Sequence, residues 1–207
     1  MKKRTLTKVI ITFVLTMTFL TFQAQSQNKS DCFNWENLNL DQKQDTTVHN
    51  KHTNPYKEFY DRSINCKVPD FKVVTLNGDT LELSKLKDKI VILSFWFIEC
   101  HPCIAEIPDI NKLVEMYKSK DVVIISMARD TKEDLIKNFI PKHTLNSIIG
   151  TDCHKVAADY CVTGWPATYI INKKGKLVKA FSGNGREDEK DTRKFFEIMT
   201  TYIDGLL

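Results

Sequence analysis

The sequence lacks a long uninterrupted apolar run. The apolar stretch near its start, Val9–Phe22, has only 14 residues and is rich in Thr, whereas a membrane-spanning helix takes about 20. Basic residues precede this stretch, and the small residues of Ala24-Gln25-Ser26 follow it. This order is typical of a secretory signal peptide. We therefore predict a signal peptide over residues 1–26 and an exported, periplasmic or extracytoplasmic protein, with an uncleaved membrane anchor as the alternative.

The chain also lacks an excess of one charge once this leader is set aside. The whole sequence carries a net charge of +4, but its first 26 residues contain four Lys or Arg and no acid. The remaining chain is therefore neutral, and it has no basic cluster in the sequence. Nucleic acids and anionic membrane surfaces are poor partners for such a protein.

A second closely spaced cysteine pair is missing as well. Of the six cysteines, only Cys100 and Cys103 are separated by two residues. A structural zinc site would need a further pair, and Cys153 with Cys161 is too widely spaced to supply it. Haem attachment would need a histidine after Cys103, where the chain has Ile104. We therefore favour a redox-active pair, with a purely structural disulfide as the alternative.

The cysteine pair lies where the hydrophobic period changes. Ile90–Phe97 is an almost continuous run of β-branched and aromatic residues, which predicts a strand buried on both faces. From Ala105 to Tyr117 the apolar residues recur at helical spacing. The pair is thus expected at a helix N-terminus, where backbone N–H groups and the helix dipole lower the pKa of a thiol. We predict that Cys100 is the accessible, attacking sulfur and that Cys103 resolves the mixed disulfide.

The pattern predicts one folded domain behind a polar segment. Residues 27–65 are rich in Asn, Gln, Asp, Lys and Thr and show neither period, so we expect a poorly ordered extension with at most a short helix near Tyr56–Tyr60. Residues 66–207 alternate strand and helix signals and include an early and a late hairpin turn. This order predicts an α/β domain with a central mixed β-sheet flanked by helices.

Several short motifs follow one another along residues 66–207: Val68-Pro69-Asp70-Phe71, Asn77-Gly78-Asp79, Leu83-Ser84-Lys85-Leu86-Lys87, Phe95-Trp96, Cys100-His101-Pro102-Cys103, Glu106-Ile107-Pro108 and Val162-Thr163-Gly164-Trp165-Pro166-Ala167-Thr168. In these motifs and in their order, residues from about 66 to 207 resemble the TlpA/ResA-like branch of the thioredoxin superfamily. The resemblance implies a thioredoxin fold with an N-terminal β-hairpin extension and an inserted αβ unit. It also implies an exported thiol–disulfide oxidoreductase.

The resemblance assigns roles to individual residues. Pro166 would be the cis-proline facing the cysteine pair, and the backbone of Trp165 would pair with an extended substrate segment. Trp96 and His101 would lie beside the substrate. Glu106 matches an acidic residue that tunes thiol protonation; an ordinary first-turn glutamate is the alternative. Because Ser94 replaces the buried Asp of thioredoxins, Glu106 or a water would accept the proton of Cys103.

The family also suggests substrates and partners. We expect protein disulfides or dithiols as substrates, cytochrome c cysteines before haem attachment among them, and a membrane thiol reductase as the electron donor. No cofactor and no metal are expected, and the protein should be a monomer. The alternatives are a carrier of Cu(I) or another soft metal on Cys100, Cys103 and His101 or His154, and a weak thiol peroxidase. The expected peroxidase motif is missing, since residues 94–99 contain no proline.

The other four cysteines allow two more disulfides in an oxidising compartment. Cys153 and Cys161 flank a predicted short helix and either pair or remain buried thiols. Cys32 and Cys66 bracket the polar extension and could tether it. Sequence alone does not assign this connectivity.

Overall fold

The computed structural model of the protein describes residues 55–183 and 194–207, together with Phe33. The elements follow in chain order: helix α1 (Pro55–Ser63), strands β1 (Lys72–Val74), β2 (Thr80–Glu82) and β3 (Ile90–Trp96), helix α2 (His101–Tyr117), strand β4 (Val122–Ala128), helix α3 (Lys132–Asp134), strand β5 (Ile148–Gly150), helix α4 (His154–Asp159), strands β6 (Ala167–Ile171) and β7 (Leu177–Ser182), and helix α5 (Phe195–Asp204). The predicted signal peptide lies outside the described residues.

A five-stranded mixed sheet forms the centre of the domain, in the order β5-β4-β3-β6-β7. Strand β3 runs parallel to β4 and antiparallel to β6, with Phe95 opposite both Met127 and Ala167. Every residue of β3 is buried, as its unbroken apolar sequence predicts. The fold is therefore the predicted α/β thioredoxin fold with a central mixed sheet.

The two faces of the sheet carry different cores. On one face, the apolar residues of α2 and α5 pack on β3, β4 and β6 around Leu113 and Met199. On the other face, aromatic residues from α1, the sheet and the end of α4 pack together around Tyr160 and Tyr169. Between β4 and β6 the chain forms α3, β5 and α4, and β5 extends the sheet by pairing parallel to β4.

The hairpin of β1 and β2 closes against the edge strand β5. The two hairpin strands pair antiparallel, with Val73 opposite Leu81. Beyond them, Leu76 N–H donates to Ile149 C=O at 2.8 Å, and Thr151 N–H donates to Val74 C=O at 2.9 Å. The hairpin thus supplies hydrogen-bond partners to the outer side of the sheet.

The structure changes one expectation about the bounds of the folded domain. The polar extension was expected to end at residue 65, but α1 within it packs on the domain through Phe59 and Tyr60, each 2% exposed. The folded part therefore includes residues before 66, because the aromatic side chains of this polar segment find partners far along the chain. Between β4 and β5, the single α-helical turn α3 is followed by a π-helical stretch, Leu135–Phe139.

Candidate active site

The two cysteines of the Cys-x-x-Cys motif form a disulfide at the start of α2. Their sulfurs are 1.93 Å apart and their Cα atoms 5.2 Å apart. Cys100 is the N-cap residue, and its sulfur accepts a hydrogen bond from the N–H of Cys103 at 3.3 Å. An N–H of the first helical turn therefore points at the sulfur, where it would stabilise a thiolate after reduction.

Cys100 is less accessible than the sequence suggests. The residue is only 4% exposed and Cys103 3% exposed, so the expectation of an accessible first sulfur is wrong for this disulfide form. The cause is a cover of apolar side chains, including Trp96, Phe139 and Leu135, that pack in one cluster with both cysteines. We call this group the cysteine cluster. The residues exposed beside the disulfide are Glu99, His101 and Pro102.

The Trp165–Pro166 peptide bond is cis, as the resemblance implies. Pro166 directly precedes β6, and the first residue of β6, Ala167, pairs with Phe95 near the carboxyl end of β3. The loop that contains Pro166 therefore lies at the same end of the sheet as the start of α2. The side chain of Trp165 packs against the cysteine cluster. Among the hydrogen bonds of the described residues, none uses the backbone N–H or C=O of Trp165. These groups can therefore pair with an incoming extended segment.

Glu106 lies one turn after Cys103 and is buried, with 9% of its surface exposed. Burial is the main reason that the pKa of its carboxyl rises from 4.5 to about 8, and the charge of Asp109 adds to the effect. In the described part of the chain, Glu106 Oε2 is buried without a hydrogen-bond partner. The side chain can therefore hold or accept a proton near neutral pH, which an exposed glutamate would not do.

Trp96 and His101 occupy opposite environments. Trp96 is 4% exposed and its ring lies 4.5 Å from that of Phe139, which in turn stacks on His143. Its Nε1 is buried and has no hydrogen-bond partner within the described residues. Trp96 is thus buried in this form, whereas His101 is exposed at the first position of α2.

The structure gives the redox state of three of the other four cysteines. Cys153 and Cys161 are reduced thiols, so the second disulfide left open for them is absent. Cys153 is 1% exposed, and burial together with the charge of Asp152 raises the pKa of its thiol to about 12, which keeps it unreactive at neutral pH. Cys66 is disulfide-bonded. Cys32, its predicted partner, lies outside the described residues.

Two residues after β4 support the site and were not expected from the sequence. The Asp130 carboxylate accepts a hydrogen bond from Ile98 N–H at 2.8 Å, and the N–H of Arg129 donates to Trp96 C=O at 3.0 Å. Together they tie the segment before Cys100 to the neighbouring strand. Their only sequence signal is a charged dipeptide directly after a buried strand, at the sheet edge that also carries the cysteines.

Two further observations concern metals and membranes. Across residues 55–183 and 194–207, no group of three or more His, Cys, Asp or Glu side chains is arranged to hold a metal ion. Among the helices of the same residues, none has both the length and the apolar character needed to cross a membrane.

A cysteine pair at a helix N-terminus, beside a cis-proline in a thioredoxin fold, defines a thiol–disulfide oxidoreductase. Known proteins agree with this class. The AhpC/TSA family matches residues 64–180, more than half of the chain. A thiol–disulfide oxidoreductase ResA of Bacillus cereus is 36% identical over 124 residues, which are 59% of this chain and 72% of ResA. ResA of Bacillus subtilis is 33% identical over 120 residues, which are 58% of this chain and 67% of that protein.

Solved structures show the same fold. A crystal structure described as a putative thiol:disulfide interchange protein DsbE from Chlorobium tepidum superposes with a TM-score of 0.59 at 23% identity, covering 70% of this chain and 98% of that one. The crystal structure of the exposed lipoprotein thioredoxin Etrx1 of Streptococcus pneumoniae superposes with a TM-score of 0.53 at 28% identity. The match covers 66% of this chain and 99% of Etrx1. The chain belongs to the AhpC/TSA family and, within it, to the ResA-like thiol–disulfide oxidoreductases.

Proposed function

We propose that the protein works outside the cytoplasm and reduces disulfides in other proteins, including oxidised Cys-x-x-Cys-His segments of cytochromes c before haem attachment. The observation that carries the proposal is the hydrogen bond from Cys103 N–H to the Cys100 sulfur, together with the backbone of Trp165, which makes no hydrogen bond to another described residue. The first feature favours a thiolate, and the second offers a strand edge to the protein that contains the target disulfide.

Reduction of the substrate proceeds in two thiol–disulfide exchange steps. The Cys100 thiolate attacks one sulfur of the substrate disulfide, which forms a mixed disulfide and releases the other substrate sulfur as a thiolate. Cys103 then loses its proton and attacks the Cys100 sulfur. This step closes the Cys100–Cys103 disulfide seen here and leaves the substrate with two more electrons. A membrane thiol reductase would return the pair to the dithiol.

Glu106 is proposed as the proton acceptor for Cys103. It lies one helical turn away, and its raised pKa of about 8 matches the task of exchanging a proton near neutral pH. We expect Glu106→Gln to slow exchange by at least about ten-fold and to flatten its pH dependence near 8. Stopped-flow reduction of a small disulfide between pH 6 and 10 measures both. Unchanged rates at every pH would remove Glu106 from the mechanism.

A redox titration of the Cys100–Cys103 pair tests the direction of the reaction. A reductant should have a potential nearer to the value of about −270 mV typical of thioredoxin than to about −120 mV, which is typical of an oxidant. The purified protein should also reduce insulin and an oxidised Cys-x-x-Cys-His peptide. An oxidising potential, or metal or peroxide chemistry in place of disulfide reduction in the same sample, would contradict the proposal. Cell fractionation tests the location.

A further inference from the structure

Arg129 lies beside the cysteine pair but takes no part in the exchange described above. It is the first residue after β4, and its N–H donates to Trp96 C=O, the last residue of β3, at 3.0 Å. Its backbone is thereby fixed at the sheet edge from which Cys100 follows. The side chain itself is exposed.

Two aromatic rings hold the guanidinium in place. Its central carbon lies 4.3 Å from the ring centroid of Phe97 and 5.9 Å from that of Trp165. The two rings meet edge to face with centroids 5.6 Å apart. Arginine stacked on an aromatic face keeps its charge and its planar set of donors while losing conformational freedom in advance of binding. We call Phe97, Arg129 and Trp165 the cationic corner.

Within the described residues, the charge of this corner has no partner of opposite sign. None of the ion pairs in this part of the chain includes Arg129, in contrast to Arg62, which pairs with Glu58. The nearest acid in sequence, Asp130, uses a carboxylate oxygen to accept the hydrogen bond from Ile98 N–H. Glu99 is the other acid close to Cys100 in sequence, and it is exposed to solvent.

The charge also lies beside Trp165, at which the proposed substrate segment would bind. Trp165 contributes a ring to the corner, and its backbone N–H and C=O make no hydrogen bond to other described residues. A segment paired there runs past the guanidinium, and a carboxylate on it can accept two parallel hydrogen bonds from the planar donors. A lysine at the same point would be repelled.

We propose that the cationic corner selects protein segments with a carboxylate side chain close to the target cysteine, and that Arg129 is the specificity-determining residue. The inference rests on the proposed binding of substrate at Trp165, but it does not depend on the direction of electron flow. Because the charge lies at an exposed rim, the preference acts mainly on the rate of encounter and weakens with salt.

The test uses pairs of disulfide peptides that differ only in an Asp or a Lys, moved one position at a time along either side of the reactive cysteine. Wild-type protein should react with the best Asp peptide about five-fold faster than with its Lys partner at low ionic strength. Arg129→Gln should remove most of this ratio, and Arg129→Glu should reverse it. Added salt should shrink the wild-type ratio.

Lys174→Gln serves as the matched control, because it removes one exposed positive charge in the loop between β6 and β7, at the opposite end of the sheet. It should keep the wild-type ratio. Exchange is measured in both directions, so a protein that only oxidises would overturn the proposed function and still reveal the preference. Equal rates for every Asp and Lys pair, or a ratio that survives in Arg129→Gln, would overturn the role of Arg129.

Discussion

The active site differs from the aromatic residues packed around Tyr160 and Tyr169, which we call the aromatic core, in whether its buried polar atoms have hydrogen-bond partners. In the aromatic core, Tyr60 donates its hydroxyl hydrogen to Cys161 C=O, Tyr160 to Pro69 C=O and Tyr169 to Tyr160 C=O. At the site, the Nε1 of Trp96 and the Oε2 of Glu106 are buried without partners, and they are the two such side-chain atoms in the described parts of the chain.

This difference indicates what each region contributes. A buried polar atom without a hydrogen-bond partner lowers the free energy of unfolding by about 1–3 kcal/mol. The active site therefore destabilises the folded protein, and interactions elsewhere in the fold must offset this loss. The aromatic core has no such cost and joins α1, the sheet and the end of α4. We infer that the aromatic core adds to the free energy of unfolding, whereas the buried Glu106 carboxyl at the active site lowers it.

Serine substitutions at the pair should have the largest effect on activity. Cys100→Ser should lower disulfide reduction to the background rate because it removes the attacking thiolate. Cys103→Ser should also stop turnover but accumulate a mixed disulfide with the substrate, which mass spectrometry of the unreduced sample detects. Cys153→Ala, which removes a buried thiol outside the mechanism, is the matched control. Turnover that persists without Cys100 would contradict the assignment.

Glu106→Gln should stabilise the protein above neutral pH. Between pH 4.5 and 8 the unfolded chain carries an ionised carboxylate while the folded protein keeps the proton, so wild-type stability falls as pH rises through this interval and falls no further above it. The gain of the variant over wild type should reach the order of 4 kcal/mol at pH 9 and vanish near pH 4.5.

Urea unfolding of the oxidised proteins at pH 4.5, 7 and 9 measures this difference. Glu115→Gln, which changes an exposed glutamate on the same helix, provides the control and should follow wild type. A gain for Glu106→Gln that is the same at all three pH values would show that the carboxyl does not titrate in this range.

Tyr169→Phe should lower the stability of the protein, and by less than Glu106→Gln raises it at pH 9. It removes a hydroxyl that donates to Tyr160 C=O at 2.7 Å and leaves that carbonyl buried without this partner, so the free energy of unfolding should fall by about 1–3 kcal/mol. Tyr202→Phe is the control, since the hydroxyl of Tyr202 makes no hydrogen bond among the described residues. If both variants unfold at the same urea concentration, the two regions do not differ as we infer.

Local patterns in the sequence predict the elements around the cysteines. The apolar run of Ile90–Phe97 predicts a strand covered on both faces, which the structure forms over Ile90–Trp96, and the change of period predicts a helix beginning at the pair. The cis bond before Pro166 follows from the resemblance alone, since a cis X–Pro bond has no periodic signal.

Contacts between distant segments escape such reasoning. Tyr60 and Cys161 are 101 residues apart, so the packing of α1 was missed although its aromatic residues were visible. The same limit explains the burial of Cys100 by the π-helical stretch, and the stacking of Arg129 between Phe97 and Trp165. Periodicity identifies which face of an element is apolar, but it does not identify the element that covers it.

The hydrogen bonds that join Leu76 and Val74 to Ile149 and Thr151, in and directly after β5, also affect self-association. An uncovered strand offers a row of backbone donors and acceptors to a second molecule, and intermolecular β-pairing of this kind leads to aggregation. In this protein the hairpin occupies that side of β5. A chain shortened so that it began after Glu82 would lose this hairpin. The backbone donors and acceptors on the outer side of β5 would then be free to pair with a second molecule.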